Sequence, residues 1–173
     1  MKNLNHLSAE ARGVLHNTPI PLPDRSLDTL TTLRAETRRR IEPAVAQILK
    51  QDKVQIETNK IEGIPCLHIY PSEITAEWKI LYGFGGGFVS GSPFEDLTIA
   101  APLSISTGSV VIIPQYRLAP EFPWPAAIDD GFAVYKALSN EPFAIVGESA
   151  GGNLCLVLIQ HAKQSGIPLP GAA

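Results

Sequence analysis

The 173-residue sequence is poor in several features, and each shortage removes a class of explanation. Its two cysteines, Cys66 and Cys155, lie far apart and without metal-ligand spacing. They encode neither a disulfide framework nor a zinc site, and both are expected as buried reduced thiols, the habit of a cytoplasmic protein. Charge is sparse and nearly balanced: Lys plus Arg is 14, Asp plus Glu is 17, and the net charge is -3. No basic footprint for nucleic acid is present. The one dense basic run, Arg38-Arg39-Arg40, is expected on the solvated face of a helix. No stretch approaches the roughly 18 apolar residues of a membrane span, and residues 1–6 carry no apolar core of a secretory signal. With no ligand cluster and no phosphate loop, neither metal nor organic cofactor is expected. The most consequential shortage comes late in the chain: after Ser149 there is no Asp or Glu, and only one histidine, His161.

What is present is an ordinary globular balance, 45% hydrophobic, with length enough for one domain and its core. Residues 1–50 read as a helical segment. Ser8 opens a weak capping pattern that lacks its glutamate, and Pro19, Pro21 and Pro23 form a loop. Leu30, Leu33, Ile41, Val45 and Leu49 then recur at helical spacing, interrupted at Pro43. From Lys53 the period changes, with two short strands expected around a turn at Glu62-Gly63. Three continuous apolar runs, residues 78–82, 109–114 and 143–146, have the pattern of strands buried on both faces of a parallel sheet. Helical stretches at residues 97–107 and 126–138 separate them. Strand-helix-strand alternation predicts an α/β fold over residues 51–173.

Two short motifs carry chemistry. "GESAG", residues 147–151, follows the apolar "FAIV" and precedes a helical stretch, the strand-turn-helix setting of a nucleophile elbow. Its small residues Gly147, Ala150 and Gly151 let the chain turn sharply enough to hold Ser149 in a strained conformation above the sheet. The helix start supplies N–H groups and a favourable field for developing negative charge. "FGGG", residues 84–87, follows an earlier strand, where an oxyanion-binding loop belongs in such an architecture.

Three longer segments in register, "LYGFGGGFVSGSP" (residues 81–93), "YRLAPEFPWPAAIDD" (116–130) and "GESAGGNL" (147–154), resemble the hormone-sensitive-lipase-like esterases of the α/β-hydrolase fold, a likeness that begins at about Val54. The resemblance implies a mostly parallel sheet flanked by helices, with the N-terminal helices as part of a cap over the acyl pocket. It implies Ser149 as nucleophile and Gly86, Gly87 and Ala150 as oxyanion donors, with Phe84 and Gly85 beside the substrate. Glu121 and Asp130 would tie loops near the site. The substrate would be a small to medium ester.

The sequence departs from that family twice. The family has "HGGG", and Phe84 replaces the histidine whose hydrogen bonds anchor the glycine loop. A serine in this fold also needs a histidine and a carboxylate that follow it in the chain. At about 1.5 Å per residue, His161 lies roughly 18 Å along the helix from Ser149, too far to act as base. His6 and His16 are expected in solvated helical positions and His68 on a solvent-facing strand position. The chain is therefore expected to be the N-terminal part of a longer serine esterase, incomplete at its C-terminus and inactive alone. Two alternatives stay open. One is a non-catalytic small-molecule-binding homologue, as plant gibberellin receptors are on this scaffold. The other is a two-chain assembly, in which a C-terminal partner segment covers an otherwise unpaired sheet edge near Val146.

Overall fold

A computed structural model describes Ser8, residues 26–51 and residues 53–173. His6, His16, the remainder of the pattern that Ser8 opens and the loop expected at Pro19, Pro21 and Pro23 lie outside the described residues. The first described element is helix α1 (Leu27–Leu49). The strands β1 (Val54–Ile61) and β2 (Ile64–Pro71) follow. They form a hairpin whose turn residues Glu62 and Gly63 both have positive φ, 50° and 80°. Positive φ at both central positions gives the turn the twist that matches two antiparallel strands.

The rest alternates as expected: β3 (Lys79–Gly83), α2 (Leu97–Thr107), β4 (Val111–Pro114), α3 (Ala126–Leu138), β5 (Phe143–Gly147) and α4 (Ala150–Gln164). Among the described residues the strands form one five-stranded sheet in the order β1-β2-β4-β3-β5. It is mixed: β1–β2 and β2–β4 are antiparallel, while β3 pairs in parallel with both β4 and β5. The continuous apolar runs have the burial they predict, since all four residues of β4 and four of the five of β3 are buried.

Strand order places the site. The chain leaves β3 for β4 on one side, then crosses back over β3 to reach β5 on the other. With right-handed crossovers, that reversal puts α2 on one face of the sheet and α3 with α4 on the opposite face. The loops leaving β3 and β5 therefore diverge, and a crevice opens outside the carboxyl ends of these two strands. Both chemical motifs begin there.

Three expectations meet a different structure. Helix α1 runs unbroken through Pro43. Its inward stripe consists of Leu30, Arg34, Thr37, Ile41, Val45 and Ile48, whereas Leu33 and Leu49 are exposed. A guanidinium thus stands in the stripe where the apolar spacing suggested leucine. His68 is half-buried rather than solvent-facing: β2 is an interior strand, His68 stacks on Tyr70, and its Nε2 is buried without a partner among the described residues. That burial holds its imidazole below the ordinary histidine value. The outer edge of β5 is partly occupied by the chain itself, because Ile145 N–H donates to Ala172 and Gly171 N–H donates to Phe143, at 3.0 and 2.9 Å. Other expectations hold. Cys66 and Cys155 are buried free thiols, each pushed up to about 11 by burial. Arg39 and Arg40 are exposed, while Arg38 lies 3.9 Å over the Phe94 ring. No helix among the described residues is long and apolar enough to cross a membrane.

Val45, 1% exposed, joins α1 to the core. Val45→Ala removes two buried carbon groups and leaves a small cavity, so chemical denaturation should show a loss of about 2 kcal/mol. A loss near zero would mean that α1 contributes nothing to the fold.

Candidate active site

The site is built at the last rung of the β3–β5 ladder, where Gly83 pairs with Gly147. One residue beyond each partner, the two functional loops begin. Glu148 N–H donates to Gly83 at 3.1 Å, and Gly151 N–H turns back to Glu148 at 2.7 Å, starting α4. Between them Ser149 adopts φ 51° and ψ -116°, a conformation that costs a non-glycine residue about 1–3 kcal/mol and persists only where its surroundings impose it. Gly151 imposes it here. A Cβ at that position would lie 1.9 Å from the Gly83 carbonyl oxygen and 2.6 Å from that of Phe84, so only glycine lets α4 start this close to β3. Ser149 is exposed, and its hydroxyl has no hydrogen-bond partner among the described residues.

The glycine loop lies alongside. Gly86 (φ 118°) and Gly87 (φ 64°) lead into Phe88, itself at φ 60°. The Gly86 carbonyl accepts from Val89 N–H at 3.2 Å and from both Ser90 N–H and the Ser90 hydroxyl at 3.0 Å. The N–H groups of Gly86, Gly87 and Ala150 are taken up by no acceptor among the described residues. Unpartnered donors at a glycine loop and at a helix start are the equipment for holding an anion.

Phe84, expected beside the substrate, is 1% exposed, with its ring stacked on Tyr116 at a centroid distance of 4.0 Å and an angle of 2°. In this conformation the ring offers a substrate no surface. Gly85 is also buried, and its N–H donates to the Asp96 carboxylate at 3.3 Å. The loop is anchored without the family's histidine. The Tyr116 hydroxyl donates to the Phe84 carbonyl at 2.5 Å, and Asp96 receives the Tyr82 hydroxyl at 3.1 Å besides Gly85. Burial, with smaller contributions from the Glu148 and Glu95 charges, holds the Asp96 carboxyl above the ordinary carboxylate value although two donors face it.

Arg34 reaches the same loop from α1. Its Nε donates to the Val89 carbonyl at 2.8 Å and one terminal nitrogen to that of Ala119 at 3.0 Å. Both terminal nitrogens bond Glu121, at 2.5 and 3.1 Å, and the hydrogen bonding keeps the Glu121 carboxyl below its ordinary value. Asp130, nearly buried, accepts from the Arg117 backbone N–H at 2.9 Å and from its guanidinium at 2.7 Å. Glu121 and Asp130 thus both tie down the segment after β4. Sequence reasoning did not single out Arg34, Asp96, Tyr82 or Tyr116. Only Arg34 left a trace, as a charged residue at the spacing of an otherwise apolar helix stripe. Neither described histidine serves Ser149: His68 lies in the sheet, and His161 is exposed on α4, 4.6 Å from the Phe132 ring. Among the described residues, no group of three or more His, Cys, Asp or Glu could hold a metal ion.

Two consequences can be measured. Gly151→Ala should destabilise the protein by about 2–3 kcal/mol, since the Gly83 and Phe84 backbone leaves the new methyl no room; an unchanged Tm would show that α4 can retreat from β3. A carboxyl whose folded value stands above its unfolded one favours the folded state while protonated, and that contribution is lost as pH rises through the raised value. Asp96→Asn should therefore gain Tm relative to wild type as pH rises from below the ordinary carboxylate value of 3.8 toward neutrality. A difference independent of pH would contradict this account of Asp96.

Comparisons with known proteins give the same fold. A family model described as alpha/beta hydrolase fold matches residues 80–173. The chain is 28% identical over 159 residues to "Carboxylesterase NlhH" of Mycobacterium tuberculosis, covering 86% of this chain and 50% of that protein. It is 34% identical over 113 residues to "Acetyl-hydrolase" of Streptomyces hygroscopicus, covering 57% and 38%. The chain thus spans half or less of the length of these relatives. Among solved structures, esterase E25 matches with a TM-score of 0.76 at 26% identity, covering 96% of this chain and 55% of that one. A hormone-sensitive lipase from a metagenome library matches with a TM-score of 0.71 at 31% identity, covering 89% and 50%. The chain belongs to the α/β-hydrolase fold family and, within it, to the N-terminal part of the hormone-sensitive-lipase-like esterases.

Proposed function

We propose that the protein is a serine carboxylic-ester hydrolase acting through an acyl-enzyme on Ser149. The observation that carries this reading is the strained Ser149 backbone at the β5–α4 junction, with an exposed hydroxyl. Strain of this kind is maintained where a nucleophile must be presented. In the proposed reaction the Ser149 oxygen attacks the ester carbonyl carbon as a base takes its proton. The carbonyl oxygen becomes an oxyanion held by the N–H groups of Gly86, Gly87 and Ala150, at the positive end of α4. Collapse expels the alcohol with a proton, and water then repeats the sequence to release the acid.

The base and its carboxylate come from residues not contained in this chain, which by itself is inactive or nearly so. Helix α1 forms part of a cap, and residues 51–173 form the N-terminal part of the catalytic domain. A cavity of about 320 Å³ lies between Phe88, after the glycine loop, and Asn153, in the first turns of α4. Phe122, Trp124, Ile128 and Val157 also line it, an apolar wall suited to the hydrocarbon part of a small to medium ester. A second reading, a non-catalytic binding homologue, draws on Phe84 standing where the family has histidine. The Tyr116 and Asp96 anchors speak against it, because the loop is held without that histidine.

A fluorescent phosphonate, which reacts with an activated serine, decides between the two. Run with intact-mass measurement on the protein as its source produces it, the probe should add one phosphonyl group, and Ser149→Ala should abolish the addition. A folded protein with Ser149 intact and no labelling would sink the hydrolase reading and turn attention to ligand binding near Phe88.

A further inference from the structure

Arg34 lies on α1, 55 residues before its first carbonyl partner Val89 and 87 before Glu121. Its bonds form a relay of rigid units. The Val89 carbonyl that accepts from Arg34 shares a peptide plane with Ser90 N–H, which donates to the Gly86 carbonyl. The Gly86 carbonyl in turn shares a plane with Gly87 N–H. A trans peptide holds its carbonyl and N–H on opposite sides. Fixing the Gly86 oxygen with three donors therefore aims Gly87 N–H the other way, and that N–H has no partner among the described residues. A second branch runs through Ala119, whose carbonyl accepts from Arg34 and whose N–H donates to Phe88 at 2.8 Å. The guanidinium holds the far end of the turn that carries Gly87, at Val89 directly and at Phe88 through Ala119, and Glu121 holds the guanidinium in place.

We propose that Arg34 is a positioning residue for the oxyanion donors: through the Val89 and Ala119 carbonyls it fixes the peptide plane that presents Gly87 N–H. This rests on the hydrolase reading above and adds a residue to it from outside both chemical motifs. A lysine has the charge but not the planar fork, so it can hold one carbonyl and not both. An alanine leaves the loop to its remaining anchors.

The test measures phosphonate labelling of Ser149 in the protein as its source produces it, resolved into kinact and KI, with Tm recorded for each variant. Arg34→Ala should lower kinact about ten- to hundredfold, less than the loss of a whole oxyanion donor at its upper range, with KI changed by no more than about twofold. Arg34→Lys should fall between. Added methylguanidinium should restore part of the Arg34→Ala rate, and methylammonium should not. If Arg34→Ala melts below the assay temperature, Arg34→Gln carries the same comparison. Equal kinact in wild type and variant would overturn the proposal. So would a slowing that vanishes once the unfolded fraction is corrected for. A wild-type protein inert to the probe instead overturns the hydrolase reading on which the proposal stands.

Discussion

The contact on which the rest depends is the one between two glycine backbones, Gly83 at the end of β3 and Gly151 at the start of α4. It lets the strand that carries the oxyanion loop and the helix that carries the nucleophile start within van der Waals reach of each other. A side chain at either position would drive backbone into backbone, because a Cβ at Gly83 would lie 2.8 Å from the Gly151 carbonyl oxygen. With this contact made, Ser149 is held in its strained conformation, and the glycine loop and the start of α4 leave from the ends of two paired strands. The strain is sustained by the ladder above it, five register pairs between β3 and β5, backed by a buried apolar core on both faces.

The glycine loop shows how one anchor can replace another. Where relatives place a hydrogen-bonding histidine, this chain places a phenylalanine, which can contribute only packing. The packing is specific: the ring lies flat on Tyr116, and that stacking brings the Tyr116 hydroxyl onto the Phe84 carbonyl. The lost hydrogen bonds are made elsewhere, by Asp96 at Gly85 and by Arg34 at Val89. The loop therefore has three anchors from three parts of the chain. One is the segment after β4, one the segment before α2, and one helix α1, which ties the N-terminal helical segment to the chemistry of the sheet.

Much of this was legible in the sequence because the signals were local. The continuous apolar runs marked β3, β4 and β5 to within two residues, since strands buried on both faces have no polar positions to offer. The limits of α2 and α3 were legible from composition, and Glu62-Gly63 marked the hairpin turn. The elbow and the glycine loop were legible because chain geometry demands small residues there. His68 was misplaced because alternation in a strand shows which residues share a face, not whether that face is covered. Leu33 and Leu49 share the apolar spacing of α1 without its burial, because a helix's apolar period leaves its rotation open by one residue's turn.

By itself, the sequence determined the alternation of elements, the strained turn at Ser149 and the absence of any acid after it. These depend on residues adjacent in the chain, where sterics and periodicity act directly. Only the tertiary structure decided that β3 and β5 lie side by side with Gly83 opposite Gly147. It also decided that Arg34, remote from both motifs, and Asp96, eleven residues past Gly85, hold the glycine loop. Those depend on strand order and on side-chain reach across the fold, and no spacing along the chain encodes a contact made between segments 55 to 87 residues apart.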